Sequence, residues 1–168
     1  MKTLSITKIF VLLTVLLILS GQFGFAQVGA DSGDMAIGAG LELNMNTSES
    51  FALALVLGFN YNLELIPLFH FAVGGHIHLS MDFKYATTIE AIPYFRWYVL
   101  RGGYTGVFAQ VDLGFSFILE ETNNYPMMHT GLRGGYRMPI GDKYYVEAFA
   151  RFGYPFFYGI GVIGGMGL

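Results

Sequence analysis

Residues 89–99 read Ile-Glu-Ala-Ile-Pro-Tyr-Phe-Arg-Trp-Tyr-Val. The odd positions, Ile89, Ala91, Pro93, Phe95, Trp97 and Val99, are all apolar, and both charges, Glu90 and Arg96, fall among the even ones with Ile92, Tyr94 and Tyr98. An apolar face alternating with a mixed one at a period of two is the pattern of a strand whose sides meet different surroundings.

The same period recurs along the chain. Met35 to Met45 sets Ile37, Leu41 and Leu43 against Gly38, Gly40, Glu42 and Asn44. Phe51 to Asn62 sets Phe51, Leu53, Leu55, Leu57, Phe59 and Tyr61 against Ala52, Ala54, Gly58, Asn60 and Asn62. After a turn around Glu64 and Pro67, Phe69, Phe71, Val73, Ile77 and Leu79 alternate with His70, Ala72, Gly74, His76, His78 and Ser80. Beyond the Arg101–Thr105 turn, Val107, Val111, Leu113, Phe115 and Phe117 oppose Gln110, Asp112, Ser116 and Glu120. Past a loop at residues 122–126 the parity flips, so that Met128, Leu132, Tyr136 and Met138 oppose His129, Arg133, Gly135 and Arg137. A turn at residues 139–143 leads to Tyr144, Val146, Ala148, Ala150 and Phe152, opposite Tyr145, Glu147, Phe149 and Arg151. The last stretch sets Tyr158, Ile160, Val162, Met166 and Leu168 against Gly159, Gly161, Ile163, Gly165 and Gly167. Eight strands are predicted.

Every charge inside these strands lies on the mixed face, together with all four histidines, and the apolar face has none. A soluble ligand-binding barrel of the lipocalin type reverses this, with its charges outside. In a bilayer the outside must be apolar and the lumen can be polar. Unpaired backbone groups are costly in hydrocarbon, so the strands must close on themselves. Strands of about 9–13 residues suit the roughly 9–11 residues of a tilted crossing. Outward aromatics gather at two levels, Tyr61, Phe69, Trp97 and Tyr144 at one and Phe51, Phe117 and Tyr158 at the other, as interfacial girdles do. The expected fold is all-β, a closed eight-stranded antiparallel up-and-down transmembrane barrel over residues 34–168.

Composition agrees. The 168 residues are 54% hydrophobic and 12% charged, against about 25% charged for an ordinary globular chain. That and a net charge of −3 argue against a disordered or nucleic-acid-binding chain. With no cysteine there is no disulfide, thiolate ligand, thiol nucleophile or lipid attachment at an N-terminal cysteine. Lys2 and Lys8 precede an apolar run from Ile9 to Leu19, and Gly24-Phe25-Ala26 offers small residues where a signal peptidase reads. This is the layout of a cleaved secretory leader, residues 1–26. Its apolar core of about 11 residues falls short of the roughly 20 needed to span a bilayer as a helix. Residues 27–33 then form a short polar segment ahead of the barrel.

The leader, eight strands, even strand count and a terminal strand ending at the last residue resemble the small eight-stranded outer-membrane proteins of the OmpA, OmpX and OmpW type. Such barrels usually end in Phe, whereas this chain ends Met166-Gly167-Leu168. The resemblance implies the outer membrane of a diderm bacterium, contact with its lipid, and passage through periplasmic chaperones and the barrel-assembly machinery. With both termini on the periplasmic side, the turns near Pro67, Gly102 and Gly141 are periplasmic and short loops near Ser48, Lys84, Asn123 and Tyr154 are extracellular.

The inward charges balance, Glu42, Glu90, Asp112 and Glu147 against Arg96, Arg133, Arg137 and Arg151. Counting from the hairpins makes Arg96 and Asp112, Asp112 and Arg133, and Arg137 and Glu147 near-diagonal neighbours. An eight-stranded barrel has room for little but its own side chains, so an internal ion-pair network is expected. The alternative is a narrow path for small polar or amphipathic solutes, in space left by inward glycines such as Gly38, Gly40, Gly58, Gly74, Gly159 and Gly161, unless Tyr94, Tyr98, Phe108 and Phe149 fill it. His70, His76 and His78 share one inward face and invite a metal, but zinc or copper needs three or four ligands and no further one is identifiable. Lumen histidines bonded to Glu90 or Tyr94 are expected instead, with no cofactor. The outward face lacks Ser, His, Asp and Glu within the strands, and no spacing ties His129, Ser48, Ser50 and Asp82 into a rim site, so no enzyme is expected. A non-catalytic structural or surface-interaction barrel with a filled lumen is the first functional expectation.

Overall fold

The computed structural model describes residues 35–45, 51–66, 69–82, 86–99, 104–120 and 124–168. The expected leader, the polar segment 27–33 and the loops around Ser48, Lys84 and Asn123 lie outside the described residues.

Eight strands run β1 (Met35–Met45), β2 (Phe51–Ile66), β3 (Phe69–Asp82), β4 (Ala86–Tyr98), β5 (Gly106–Glu120), β6 (Asn124–Ile140), β7 (Tyr144–Tyr154) and β8 (Tyr158–Gly167). Each pairs antiparallel with the next, and β1 pairs with β8 to close the barrel. No edge is left to expose backbone donors to hydrocarbon. The register fixes the geometry. Following paired residues from Met35 through Tyr61, Val73, Phe95, Val111, Leu132, Phe152 and Tyr158 returns the path to β1 at Met45, ten residues from its start. With ~3.3 Å per residue and ~4.8 Å between strands, a stagger of that size tilts the strands by about 40°.

Several strands outrun their alternating cores. β2 continues through the stretch expected to turn at Glu64, with a register irregularity between Leu63 and Ile66. β4 begins at Ala86, before the first apolar position of its pattern. β6 begins at Asn124, so Asn124, Tyr125 and Pro126, expected in a loop, pair with Leu119, Ile118 and Phe117. In each case the neighbouring strand extends as far and supplies partners, which hydropathy alone does not record. The turn between β6 and β7 shortens to residues 141–143, where Gly141 has φ +62°, the left-handed region that glycine enters without penalty.

Burial runs opposite to that of a soluble protein. Leu132 is 60% exposed, Ile77 57%, Phe115 64% and Met128 62%, while Glu42, Glu90, Arg96 and Asp112 are 0% exposed. No charged side chain lies on the outward face of a strand among the described residues. A continuous apolar surface around the whole circumference far exceeds the few hundred Å² that soluble monomers expose. The molecule is a membrane β-barrel. Tyr61 and Tyr144 sit beside Met35 and Met166, and Trp97 beside Phe71, towards the end where β1 begins. Phe51 and Tyr158 sit beside Met45, and Phe117 beside Ile89, towards the other end. These two levels match the girdles read from the sequence; the Phe69 side chain lies outside the described residues.

Candidate functional site

The inward face carries the chain's unusual chemistry, stacked in two layers. The lower layer, towards the end where β1 begins, is built on Glu147 of β7. Arg96 of β4 reaches it as a fork, Nη1 to Oε2 at 2.7 Å and Nη2 to Oε1 at 2.9 Å. Arg137 of β6 adds Nε and Nη2 donors to Oε2 at 3.0 and 2.9 Å. Parallel donors on one carboxylate make a strong, directional pair. Two further guanidinium bonds extend the layer: Arg96 Nε donates to Gln110 Oε1 at 2.8 Å, and Arg137 Nη2 to Asn60 Oδ1 at 3.2 Å. Arg96 lies 4.0 Å from the Phe108 ring centre and Arg137 4.1 Å from that of Tyr145, so the aromatic faces stabilise the cations as well.

The upper layer gathers around Glu42 and Glu90. Arg151 Nε is 3.0 Å from Glu42 Oε1, its Nη2 donates to Asn44 Oδ1 at 2.9 Å, and its Nη1 is 3.6 Å from Glu90 Oε2. Glu90 Oε1 accepts from Ser116 Oγ at 2.9 Å and lies 3.2 Å from His129 Nδ1, while its Oε2 lies 3.2 Å from His78 Nδ1. Arg133 links the layers, 3.5 Å from Glu42 and 3.4 Å from Asp112, whose other oxygen accepts from Gln110.

Two of the three sequence-derived pairs are in contact, Asp112 with Arg133 and Arg137 with Glu147. Arg96 is different: Gln110 stands between it and Asp112, and its carboxylate partner is Glu147, across the lumen. Hairpin counting sees only neighbouring strands, whereas closure brings β4 to face β7. Asn44, Asn60, Gln110 and Ser116 complete the network without having been singled out; their even positions on inward faces were the available signal. The Glu120 side chain lies outside the described residues.

The histidines separate. His78 and His129 flank Glu90, as expected of lumen histidines, and His76 lies against Tyr94 with ring centres 4.6 Å apart. His70 is at the lower mouth, edge-on to Tyr104 at 5.5 Å. Among the described residues no three His, Asp or Glu side chains are arranged to hold a metal ion. His129, weighed for a rim site, is 1% exposed and lies in the upper layer.

Several inward glycines of the described residues are covered by rings. A Cβ at Gly74 would stand 2.6 Å from the Tyr94 ring, at Gly38 2.7 Å from the Tyr145 hydroxyl, and at Gly58 2.6 Å from His76. Phe149 lies over Gly161 and Phe108 over Gly135 in the same way. Each glycine makes room for a ring from a nearby strand. Tyr94 and Tyr145 then donate to backbone carbonyls of Phe59 and Ile37 at 3.1 and 3.2 Å, tying the filling to the wall. A recess beside Gly58, Asn60, His76, Tyr94 and Glu147 has room for about one water molecule.

No family model matches the chain, and no curated protein matches it. Among solved structures it is similar to the solution NMR structure of the de novo designed TMB2.3, at 12% identity and a TM-score of 0.43, over 85% of this chain and 98% of that one. At that level the likeness carries no functional argument, and the membrane assignment rests on the chain's own closure and burial.

Proposed function

We propose that this chain is a non-catalytic integral barrel of the outer membrane of a diderm bacterium, exported by a leader cleaved after Ala26, with a structural or surface-interaction role. The observation that carries this reading is the Arg96–Glu147 fork, which spans the lumen from β4 to β7 at 2.7 and 2.9 Å with aromatic rings packed around it. A lumen bridged and filled in this way has no through path for solutes. The partners that follow are outer-membrane lipid and, during biogenesis, periplasmic chaperones and the assembly machinery. Against catalysis, the histidine and carboxylate side chains of the upper layer are at most 1% exposed, out of reach of any substrate in lipid or water.

Purified barrel in a planar bilayer at neutral pH is expected to be silent. Reproducible conductance steps would overturn the filled-lumen reading in favour of a narrow solute channel. Unheated protein is expected to migrate differently from boiled protein on a detergent gel, because a closed barrel stays compact until heated; equal mobility would count against the barrel.

A further inference from the structure

We propose that Ile163 is the register key of the closing strand: it fixes where β8 stands between β7 and β1, and relocating it by two residues relocates the strand. The proposal goes beyond the structural role above and holds independently of it. It starts from side chains that reach across β8. Arg151 of β7 meets Glu42 and Asn44 of β1, Nε to Oε1 at 3.0 Å and Nη2 to Oδ1 at 2.9 Å. Tyr145 of β7 donates its hydroxyl to the Ile37 carbonyl of β1 at 3.2 Å. β7 and β1 are therefore tied to each other over the inner surface of β8. The inward residues of β8 itself, Gly159, Gly161, Ile163, Gly165 and Gly167, bring no hydrogen-bonding side chain.

The pairing gives β8 a second place in this track. Phe152 pairs with Tyr158, and Tyr158 with Met45. With β8 displaced by two residues, Phe152 pairs with Ile160 and Ile160 with Met45, so β7 faces β1 as before and the ties between them are kept. Such a displacement leaves each side chain on its own face, because the period of a strand is two. A glycine-rich strand specifies its register weakly. Outside, Ile160, Val162 and Met166 are apolar alike, and the Phe152–Tyr158 ring pair, with centres 5.3 Å apart, is given up.

Inside, one side chain tells the positions apart. Ile163 is 3% exposed and stands against Gly38 and Gly40 of β1, where an added Cβ would be 2.7 Å from Ile163 Cγ2 and 2.8 Å from its Cγ1. The sites on either side are roofed by rings. Phe149 lies over Gly161 and Tyr145 over Gly165, each so close that a Cβ would overlap it. A displacement that sets Gly165 in the place of Ile163 drives Ile163 under Phe149. The opposite one drives Ile163 under Tyr145 and sets Phe157 in the place of Gly159, where a Cβ would be 2.7 Å from the Glu42 and Asn44 oxygens. Either leaves a glycine against Gly38 and Gly40, and the cavity there costs stability. A chain with the isoleucine moved to position 165 is excluded from the observed register by Tyr145 in the same way. It fits the register displaced by two residues, with Leu168 drawn inward by about 6–7 Å.

The test uses the full chain, which has no cysteine of its own. Ala39 pairs with Gly164 on the outward face, and a Cβ added at Gly164 meets nothing within 4 Å. Directly paired residues have Cα atoms about 4.5–5.5 Å apart, within disulfide reach, and those offset by two lie about 7–8 Å apart, beyond it. Ala39→Cys is combined with either Gly164→Cys or Met166→Cys, the barrel is folded into lipid vesicles and oxidised, and the disulfide yield is read by peptide mass. With Ile163 in place the first pair is expected to close and the second to stay reduced. With Ile163→Gly and Gly165→Ile together the two yields are expected to exchange. Should that double variant fail to fold, Ile163→Gly decides, since glycine at every inward position of β8 fits either register and both disulfides are then expected. A barrel with Ile163 that closes both pairs equally, or a folded double variant that does not close the pair at 39 and 166, would overturn the key. So would a double variant that fails to fold while Ile163→Gly closes only the pair at 39 and 164, or fails to fold as well. Conduction in the planar bilayer, by contrast, would overturn the filled lumen and leave the key standing.

Discussion

Glu147→Gln is expected to destabilise the barrel by about 3–5 kcal/mol, the cost of removing one partner from a buried ion pair. Glu147 is 1% exposed and is the carboxylate partner of both Arg96 and Arg137, themselves 0% and 5% exposed. The amide keeps the volume but offers one acceptor oxygen where two forks converge, and it leaves two cations in a low-dielectric lumen. The measurement is a urea titration of folding into lipid vesicles, followed by the fluorescence of Trp97, the single tryptophan, on the outer face. Replacing Arg96, Arg137 and Glu147 together by apolar residues of similar volume is expected to cost much less, since no charge is then left unpaired. If the single and triple variants lose stability equally, the lower layer acts by packing and the ion-pair account fails.

Leu132→Arg is expected to cost about 2–4 kcal/mol in the same titration, because it sets a guanidinium at mid-height on the lipid face. Leu132 is 60% exposed and lies between Val111 and Phe152, themselves 44% and 54% exposed. Ile140→Arg, on the same face of β6 but at its end, is expected to cost about 0–1 kcal/mol, because a charge near the interface reaches water. The gradient is diagnostic. In a soluble barrel both positions would face water and tolerate arginine alike, so equal small costs would refute the membrane assignment.

Legibility in the sequence follows from the range of the interaction concerned. Alternation is a local property of extended backbone, so β1 was readable from Met35 to Met45 with the observed bounds. The parity flip before His129 was readable for the same reason, and it places Gly114 opposite His129 and Gln110 opposite Arg133. Strand ends were less legible. Tyr125 and Pro126 look like loop residues until β5 supplies Ile118 and Phe117 beside them.

By itself the sequence determined how many strands there are, which face of each meets lipid, and that the charges lie inside. These are consequences of a two-residue period and of the cost of charge in hydrocarbon. Only the tertiary structure decided what those charges do. The ten-residue stagger sets which inward residues share a level, and closure brings Arg96 to Glu147 and Arg151 to Glu90. It also turns glycines that looked like open space into seats for Tyr94, Tyr145 and Phe149. Contacts across a lumen join residues far apart in the chain and on strands that no hairpin connects, and no local pattern records them.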